Sequence, residues 1–218
     1  ADGFTIMGLT LARDGNDAQV GDNGIRGGVS CDKGVISNVF VDNQYDGLYL
    51  RVTGYTQVQN AIVTHSKRHG ILMTNLGVPN GPVQYYMRNV LVTLSEGFGV
   101  YVSPDEGSMS VGNWDGLLTF GNKSGGVVSV AISGTKAAQG LRIANSFFGQ
   151  DGETAGYPEL DIQGGGMHTI SNSFVEIGGV SATVPNQMHA GVTGIHIGPG
   201  VASAQMTGVF VTQNTGNG

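Results

Sequence analysis

Acidic side chains are concentrated between Gln150 and Gln163, a stretch that could supply acid–base chemistry. Its carboxylates belong to Asp151, Glu153, Glu159 and Asp161. Two carboxyl groups on either side of a glycosidic bond can act as general acid and as base or nucleophile. Asp161 alternates with apolar neighbours, which predicts an outward-facing position on a rigid strand. We expect acid–base candidates at Asp161, Glu159 and Glu176, against the alternative that they only interact with solvent.

Six residues fall in one predicted outward column when the short apolar triplets of the chain are aligned. They are Tyr49, Leu72, Tyr101, Ser129, Asp161 and His196. Tyrosines in every second repeat would lie about 9 to 10 Å apart, a spacing that suits stacking on sugar rings. We expect Tyr49, Tyr101 and His196 to bind a saccharide. Contact with loops or with a neighbouring chain is an equally open interpretation.

Asp46 and His69 each precede the glycine of such a triplet, so they are predicted to be neighbours in successive repeats. A carboxylate beside an imidazole could form an acid–base pair, although a plain surface hydrogen bond is the alternative. The five histidines of the chain show no repeated ligand spacing, and we predict no metal site and no cofactor. The glycine run 164–166 precedes a strand pattern, so it lacks the helix that a phosphate-binding loop needs.

The elements that would position these residues come from a motif that recurs eight times. Each copy has Asn or Gly at its centre, an apolar residue two positions before it and, in the last seven copies, another two positions after it. The centres are Gly8, Asn38, Asn60, Asn89, Gly116, Asn145, Asn172 and Gly208. Their spacing of 22 to 36 residues is typical of a stacked solenoid with loops of variable length.

Around each centre the apolar residues alternate with period two, and β-branched and aromatic types dominate, which predicts strands. Equivalent strands of stacked repeats run in one direction, so we expect parallel sheets and a core filled from the positions two before and two after the centres. Asparagine at a corner can hydrogen-bond the asparagine of the next repeat and tolerates left-handed backbone angles. Glycine tolerates the same angles, which accounts for Gly8, Gly116 and Gly208.

A further apolar column lies three positions after the centres and is predicted to face outward. It comprises Val41, Val63, Val92, Thr119, Phe148, Val175 and Val211. An exposed stripe of this length is larger than a monomer normally leaves in contact with water. We expect a loop, the N-terminal segment or further copies of the chain to cover it.

The 218 residues are expected to form one domain, 1–218, in which 38 glycines serve tight turns around a core. A net charge of −6 and ten scattered Lys and Arg residues argue against nucleic acid and anionic membranes as partners. No apolar run reaches membrane-spanning length, and the lone Cys31 excludes an internal disulfide. The abrupt start and the uncapped last repeat predict a fragment of a longer chain.

The asparagine corner, its flanking apolar residues and the downstream glycine-led strand resemble the parallel β-helix of pectate-lyase-like proteins. The resemblance extends from about Phe4 to Thr212 and implies an all-β, single-stranded, right-handed parallel β-helix of about seven to eight coils. Low charge and uneven loops make the chain most similar to the β-helical body of bacteriophage tailspike and appendage proteins. That similarity implies a homotrimer, on a virion or extracellular, that binds a bacterial cell-surface polysaccharide and is a candidate depolymerase.

Two other functions remain open at this stage. A secreted, monomeric polysaccharide lyase or epimerase would use Asp46, His69 and a nearby arginine on a uronic acid. No arginine of the chain matches a motif of that family, so this function depends on fold analogy. A non-catalytic adhesive or structural solenoid would use its tyrosines only for binding or packing.

Overall fold

The computed structural model describes residues 3–13, 19–28, 33–51, 54–77, 84–151, 157–177 and 194–213. Within these ranges the chain forms 22 strands and no helix, so no helix among them could cross a membrane. The strands are β1 (Gly3–Met7), β2 (Thr10–Leu11), β3 (Ile25–Gly27), β4 (Lys33–Asp42), β5 (Leu48–Leu50), β6 (Tyr55–Thr64), β7 (Ile71–Thr74), β8 (Gln84–Thr93), β9 (Phe98–Ser103), β10 (Met109–Ser110), β11 (Asn113–Phe120), β12 (Gly125–Ser129), β13 (Ala131–Ser133), β14 (Lys136–Gln139), β15 (Arg142–Ala144), β16 (Phe147–Gly149), β17 (Leu160–Gly165), β18 (His168–Ser171), β19 (Phe174–Ile177), β20 (Ile195–Val201), β21 (Ala204–Thr207) and β22 (Phe210–Gln213). The predicted all-β class is confirmed.

Two parallel sheets contain most of these strands. The first sheet has twelve strands, in the order β1-β4-β6-β8-β11-β15-β18-β21, with β2, β16, β19 and β22 pairing beyond the corners. The second sheet has seven, in the order β3-β5-β7-β9-β12-β17-β20. A small third sheet contains β10, β14 and β13, of which the last two pair antiparallel. Successive repeats contribute neighbouring parallel strands to both large sheets, which is consistent with a parallel β-helix.

The asparagine corners have the conformation that the sequence predicts. All eight centres have left-handed backbone angles, with φ between 46° and 68°. Asn60 Nδ2 donates a hydrogen bond to Asn38 Oδ1 at 3.2 Å, and Asn89 Nδ2 donates to Asn60 Oδ1 at 3.2 Å. The centre that precedes Asn145 is a glycine, and Asn145 Nδ2 donates to Asp115 Oδ1 instead, at 2.7 Å. A side-chain hydrogen-bond ladder therefore links several of the corners.

The predicted outward column three positions after the centres is wrong, because most of its residues are buried. The buried members are Val41, Val63, Val92, Thr119, Phe148 and Val175, and only Val211 is exposed. The left-handed centre interrupts the alternation, so the first and third residues after it face the interior and the second faces solvent. In β4, for example, Val39 and Val41 are buried whereas Phe40 is 36% exposed. The core on the other side of the corner, at Ile36, Val58, Met87 and Ile143, is as predicted.

The residues two positions after the centres were expected to fill the core, and this prediction is wrong because they form an apolar stripe on the surface. Its residues are Phe40, Ile62, Leu91, Leu118, Phe147, Phe174 and Phe210, register partners on seven consecutive strands. At the usual strand spacing the stripe is about 29 Å long. The rings of Phe147 and Phe174 stack nearly parallel, with centroids 5.6 Å apart.

A second left-handed corner follows five of the eight centres, four asparagines and Gly116, by five positions. Its residues are Asn43, His65, Leu94, Gly121 and Gln150, with φ between 51° and 67°. The next residue of each repeat is polar and buried, and these residues are Gln44, Ser66, Ser95, Asn122 and Asp151. Glycines that precede the second-sheet strands pack closely against this side of the interior, and a Cβ on Gly70 would lie 2.1 Å from Val92 Cγ1. Glu159 occupies the position equivalent to Gly126, since the following residues, Leu160 and Val127, are register partners.

Candidate functional site

The outward face of the second sheet contains half of the predicted site residues in one register column. The column consists of Arg26, Tyr49, Leu72, Tyr101, Val128, Asp161 and His196. Ser129 was expected in this column but pairs with Val102 and is buried, because Val127 rather than Val128 aligns with Val100. The spacing of Tyr49 and Tyr101, with Leu72 between them, is as predicted.

Asp161 and His196 form a direct pair on adjacent strands. His196 Nδ1 lies 2.7 Å from Asp161 Oδ1, and Gln163 Nε2 donates to Asp161 Oδ2 at 2.9 Å. The carboxylate is almost buried, whereas the His196 side chain is 51% exposed. With Nδ1 held by Asp161, Nε2 is the ring nitrogen left to exchange a proton or a hydrogen bond with a ligand. The predicted acid–base residue Asp161 and the predicted saccharide-binding residue His196 are therefore hydrogen-bonded to each other.

An aromatic patch lies on the same side of the second sheet, with Tyr101 two strands from Asp161, and consists of His69, Phe98, Tyr101 and Tyr157. His69 stacks on Tyr101 with ring centroids 4.4 Å apart, and Phe98 lies 5.7 Å from Tyr101. Tyr157 meets Phe98 edge-on at 5.5 Å and is 42% exposed. Burial lowers the pKa of His69 to about 4, so the imidazole is neutral at physiological pH. It contributes to the patch as an uncharged aromatic ring stacked on Tyr101.

Asp46 lies next to His69, as predicted, but its main partner is Arg68. Arg68 Nε donates to Asp46 Oδ1 at 2.9 Å, and a second guanidinium nitrogen donates to Oδ2. The backbone N–H of His69, rather than its ring, donates to Asp46 at 3.3 Å. Arg68 also lies over the ring of Tyr45 at 5.0 Å. This bidentate ion pair anchors a loop, and the geometry does not assemble an Asp46–His69 acid–base pair.

Glu159 is fully buried and faces away from Asp161. Its Oε2 accepts a hydrogen bond from the backbone N–H of Asp151 at 3.2 Å, within the interior. Burial raises the pKa of Glu159, and the nearby charge of Asp151 raises it further. Glu176, on β19 of the first sheet, adds a smaller repulsion in the same direction. The structure therefore does not bring Asp161, Glu159 and Glu176 around one outer surface.

Several residues of this face were not predicted from the sequence, although the repeat pattern indicated some of them. Phe98 precedes Gly99 just as His69 precedes Gly70, so its place in the patch follows from the repeat. Gln163 lies two positions after Asp161 on the same strand and therefore on the same face. Cys31, Glu153 and one of the five histidines, His189, lie outside the described residues.

The chemistry available on this face is recognition by aromatic rings and proton exchange at His196. Among the described residues, no group of three or more His, Cys, Asp or Glu side chains is arranged to hold a metal ion. In comparisons with family models, curated proteins and solved structures, this chain matches none of them.

Proposed function

We propose that this chain is the solenoid body of a virion tailspike-like receptor-binding protein that binds a bacterial surface polysaccharide. The observation that carries the proposal is the aromatic patch together with the Asp161–His196 pair on one face of the second sheet. In its finer form the proposal includes a right-handed, pectate-lyase-like β-helix of about seven to eight coils, assembled as a homotrimer.

The aromatic patch supports binding of sugar rings. The Tyr101 and Tyr157 rings offer apolar faces together with hydroxyl groups, the combination that saccharides require. Asp161 lies two strands from Tyr101, which is about 10 Å at the usual strand spacing. A polysaccharide lying across the strands would therefore contact the aromatic patch with one of its sugar units and His196 with another.

The same face supports proton transfer more than a two-carboxylate hydrolysis. Hydrolysis uses two carboxyl groups that flank the bond, whereas Asp161 holds His196 and Asp46 is neutralised by Arg68. An imidazole oriented by a carboxylate is instead a suitable base for abstracting a proton next to a carboxyl group. A polysaccharide lyase or epimerase is therefore the second candidate, favoured by the 2.7 Å Asp161–His196 contact. In the third, adhesive function the same surface binds without cleaving.

Incubation with purified bacterial capsule or lipopolysaccharide tests all three functions. We expect the protein to sediment together with the polysaccharide, which shows binding. A reducing-sugar assay then detects hydrolysis, ultraviolet absorbance of an unsaturated product detects a lyase, and the absence of both signals indicates a protein that binds without cleaving. Tyr101→Ala and Asp161→Asn should each weaken binding about tenfold, because a stacking ring or the orientation of His196 is lost.

A matched control is available in Asp42→Asn, since Asp42 also pairs with a histidine, His65 Nδ1, at 2.9 Å on another side of the solenoid. This variant should bind as the unchanged protein does. Equal binding by Asp161→Asn, Tyr101→Ala and the control would overturn the assignment of the site to this face.

A further inference from the structure

A polar groove lies on the outward face of the first sheet, before the asparagine corners and away from the second-sheet face. Its volume is about 260 Å³. The polar side chains that line it are Gln57, Gln59, Tyr86, Arg88, Asn113 and Asp115. A neighbouring hollow of about 220 Å³ shares Tyr86 and Asn113 and also includes Arg142.

The register of three strands fixes these side chains as an ordered array. Gln57 and Gln59 on β6 are partners of Tyr86 and Arg88 on β8. Arg88 is in turn the partner of Asp115 on β11. The residues between them are Val58, Met87 and Trp114, which are buried in the core. Because the core holds alternate residues of each strand, the groove is preorganised rather than formed by mobile loops.

The uncharged groups of the groove are suited to a hydroxyl-rich ligand. Gln59 Nε2 donates to Gln57 Oε1 at 3.1 Å, which leaves further amide donors and acceptors of both residues for a ligand. The Tyr86 ring stacks against Tyr55 at a centroid distance of 6.4 Å and presents an aromatic surface in the groove. Amides next to an aromatic ring provide hydrogen bonds and an apolar contact, the two features of saccharide binding.

The groove contains one arginine and one aspartate, and a second arginine in the adjoining hollow makes the local charge favourable to an anion. Arg88 and Arg142 are both exposed, and neither forms an ion pair with another described residue. Asp115 already accepts a hydrogen bond from Asn145 at 2.7 Å, so part of its acceptor capacity is used. The whole chain has only ten Lys and Arg residues against sixteen Asp and Glu residues, so Arg88 in the groove and Arg142 in the adjoining hollow form a local concentration of unpaired guanidinium groups. Guanidinium groups bind carboxylates through paired, charge-assisted hydrogen bonds.

We propose that this groove is a second binding site, specific for an acidic saccharide. A carboxylate of the saccharide binds Arg88, a sugar ring lies against Tyr86, and hydroxyl groups bond to the amides of Gln57, Gln59 and Asn113. The site is independent of the second-sheet face, because the two surfaces share no residue.

Isothermal titration of the whole chain tests the proposal, with a hyaluronan tetrasaccharide as the acidic probe and chitotetraose as the neutral probe. We expect the acidic probe to bind at least about fivefold more tightly, and this preference to shrink as salt is added. Arg88→Gln should weaken binding of the acidic probe about tenfold and leave the neutral probe nearly unchanged. Asp115→Asn should strengthen binding of the acidic probe by about threefold, since a like charge is removed.

Asp42→Asn serves as the control, because Asp42 lines neither the groove nor the second-sheet face and the change should leave affinity for the acidic probe unchanged. Equal affinity for the two probes, an unaltered affinity in Arg88→Gln or the absence of binding by both probes would each overturn the proposal. Failure of the capsule-binding experiment would affect only the second-sheet face.

Discussion

The buried pair of Asp151 and Glu159 places two carboxyl groups in the interior of the solenoid. Thr119 Oγ1 donates to Asp151 Oδ2 at 2.6 Å and Asn122 Nδ2 donates to Asp151 Oδ1 at 2.8 Å. The charged form of Asp151 is therefore better stabilised by hydrogen bonds than that of Glu159. Glu159 accepts a bond at Oε2, whereas its Oε1 has no hydrogen-bond partner among the described residues. Burial raises the pKa of both groups, and Glu159 is the one that retains its proton at neutral pH.

This arrangement predicts that the protein becomes less stable as the pH rises. Above a pH of about 4.3 the unfolded chain loses the Glu159 proton while the folded chain keeps it, so the free energy of unfolding falls until the raised native pKa is passed. Glu159→Gln should flatten this decline, because an amide does not titrate. Thermal unfolding followed by circular dichroism between pH 5 and pH 9 measures the difference. Glu96→Gln, at an exposed carboxylate, should keep the full dependence, and an equally steep decline in Glu159→Gln would contradict the prediction.

At the scale of the repeat, the glycines before the second-sheet strands permit close packing of two sides of the solenoid. A Cβ on Gly70 would lie 2.1 Å from Val92 Cγ1 and 2.7 Å from the carbonyl oxygen of Gly99. Gly70→Ala therefore requires backbone displacement and should lower the free energy of unfolding by about 2–3 kcal/mol. Urea denaturation measures this loss. Gly28→Ala is the matched control, since a Cβ there meets no atom within 4 Å, and an equal loss in both variants would exclude the steric cause.

The repeat also explains which parts of the fold the sequence could predict. The asparagine corners were predictable because one residue type recurs at one conformation. The second corner was not, since residues as different as His65, Leu94 and Gln150 adopt the same left-handed angles. The wrong prediction of which apolar column faces outward has a related cause. Inward-facing and outward-facing side chains alternate strictly through a corner only if the corner residue is extended, and Asn38 is not.

The candidate site was predictable to the extent that it follows register. Asp161 and His196 occupy one column, so their contact could be inferred from the aligned triplets. The partner of Asp46 could not, because Arg68 reaches it from a loop whose path no periodicity describes. Glu159 was predicted on the outer surface but is buried. The sequence gives no sign of this, because a carboxylate at a position that is glycine in other repeats is normally expected to face solvent.

At the scale of the whole molecule, the part of the chain that the structure describes presents three outer surfaces of different chemistry. The second sheet carries the aromatic patch and the Asp161–His196 pair, and the first sheet carries the polar groove before the asparagine corners. The apolar stripe lies on the first sheet beyond those corners, on the same strands or their continuations. Both candidate saccharide sites therefore remain accessible if the stripe is buried against other copies of the chain.

Burial of the apolar stripe is the physical basis for the proposed homotrimer. Five of its seven side chains are more than a third exposed, over a length of about 29 Å that exceeds what monomers usually leave in water. Leu118→Lys places a charge at the middle of the stripe, between Leu91 and Phe147. Light scattering at micromolar concentration should report a trimer for the unchanged chain and a folded monomer for this variant. Ile132→Lys, at an apolar residue that is 50% exposed outside the stripe, should remain trimeric. A monomeric unchanged chain, or a trimeric Leu118→Lys variant, would show that the stripe does not mediate association.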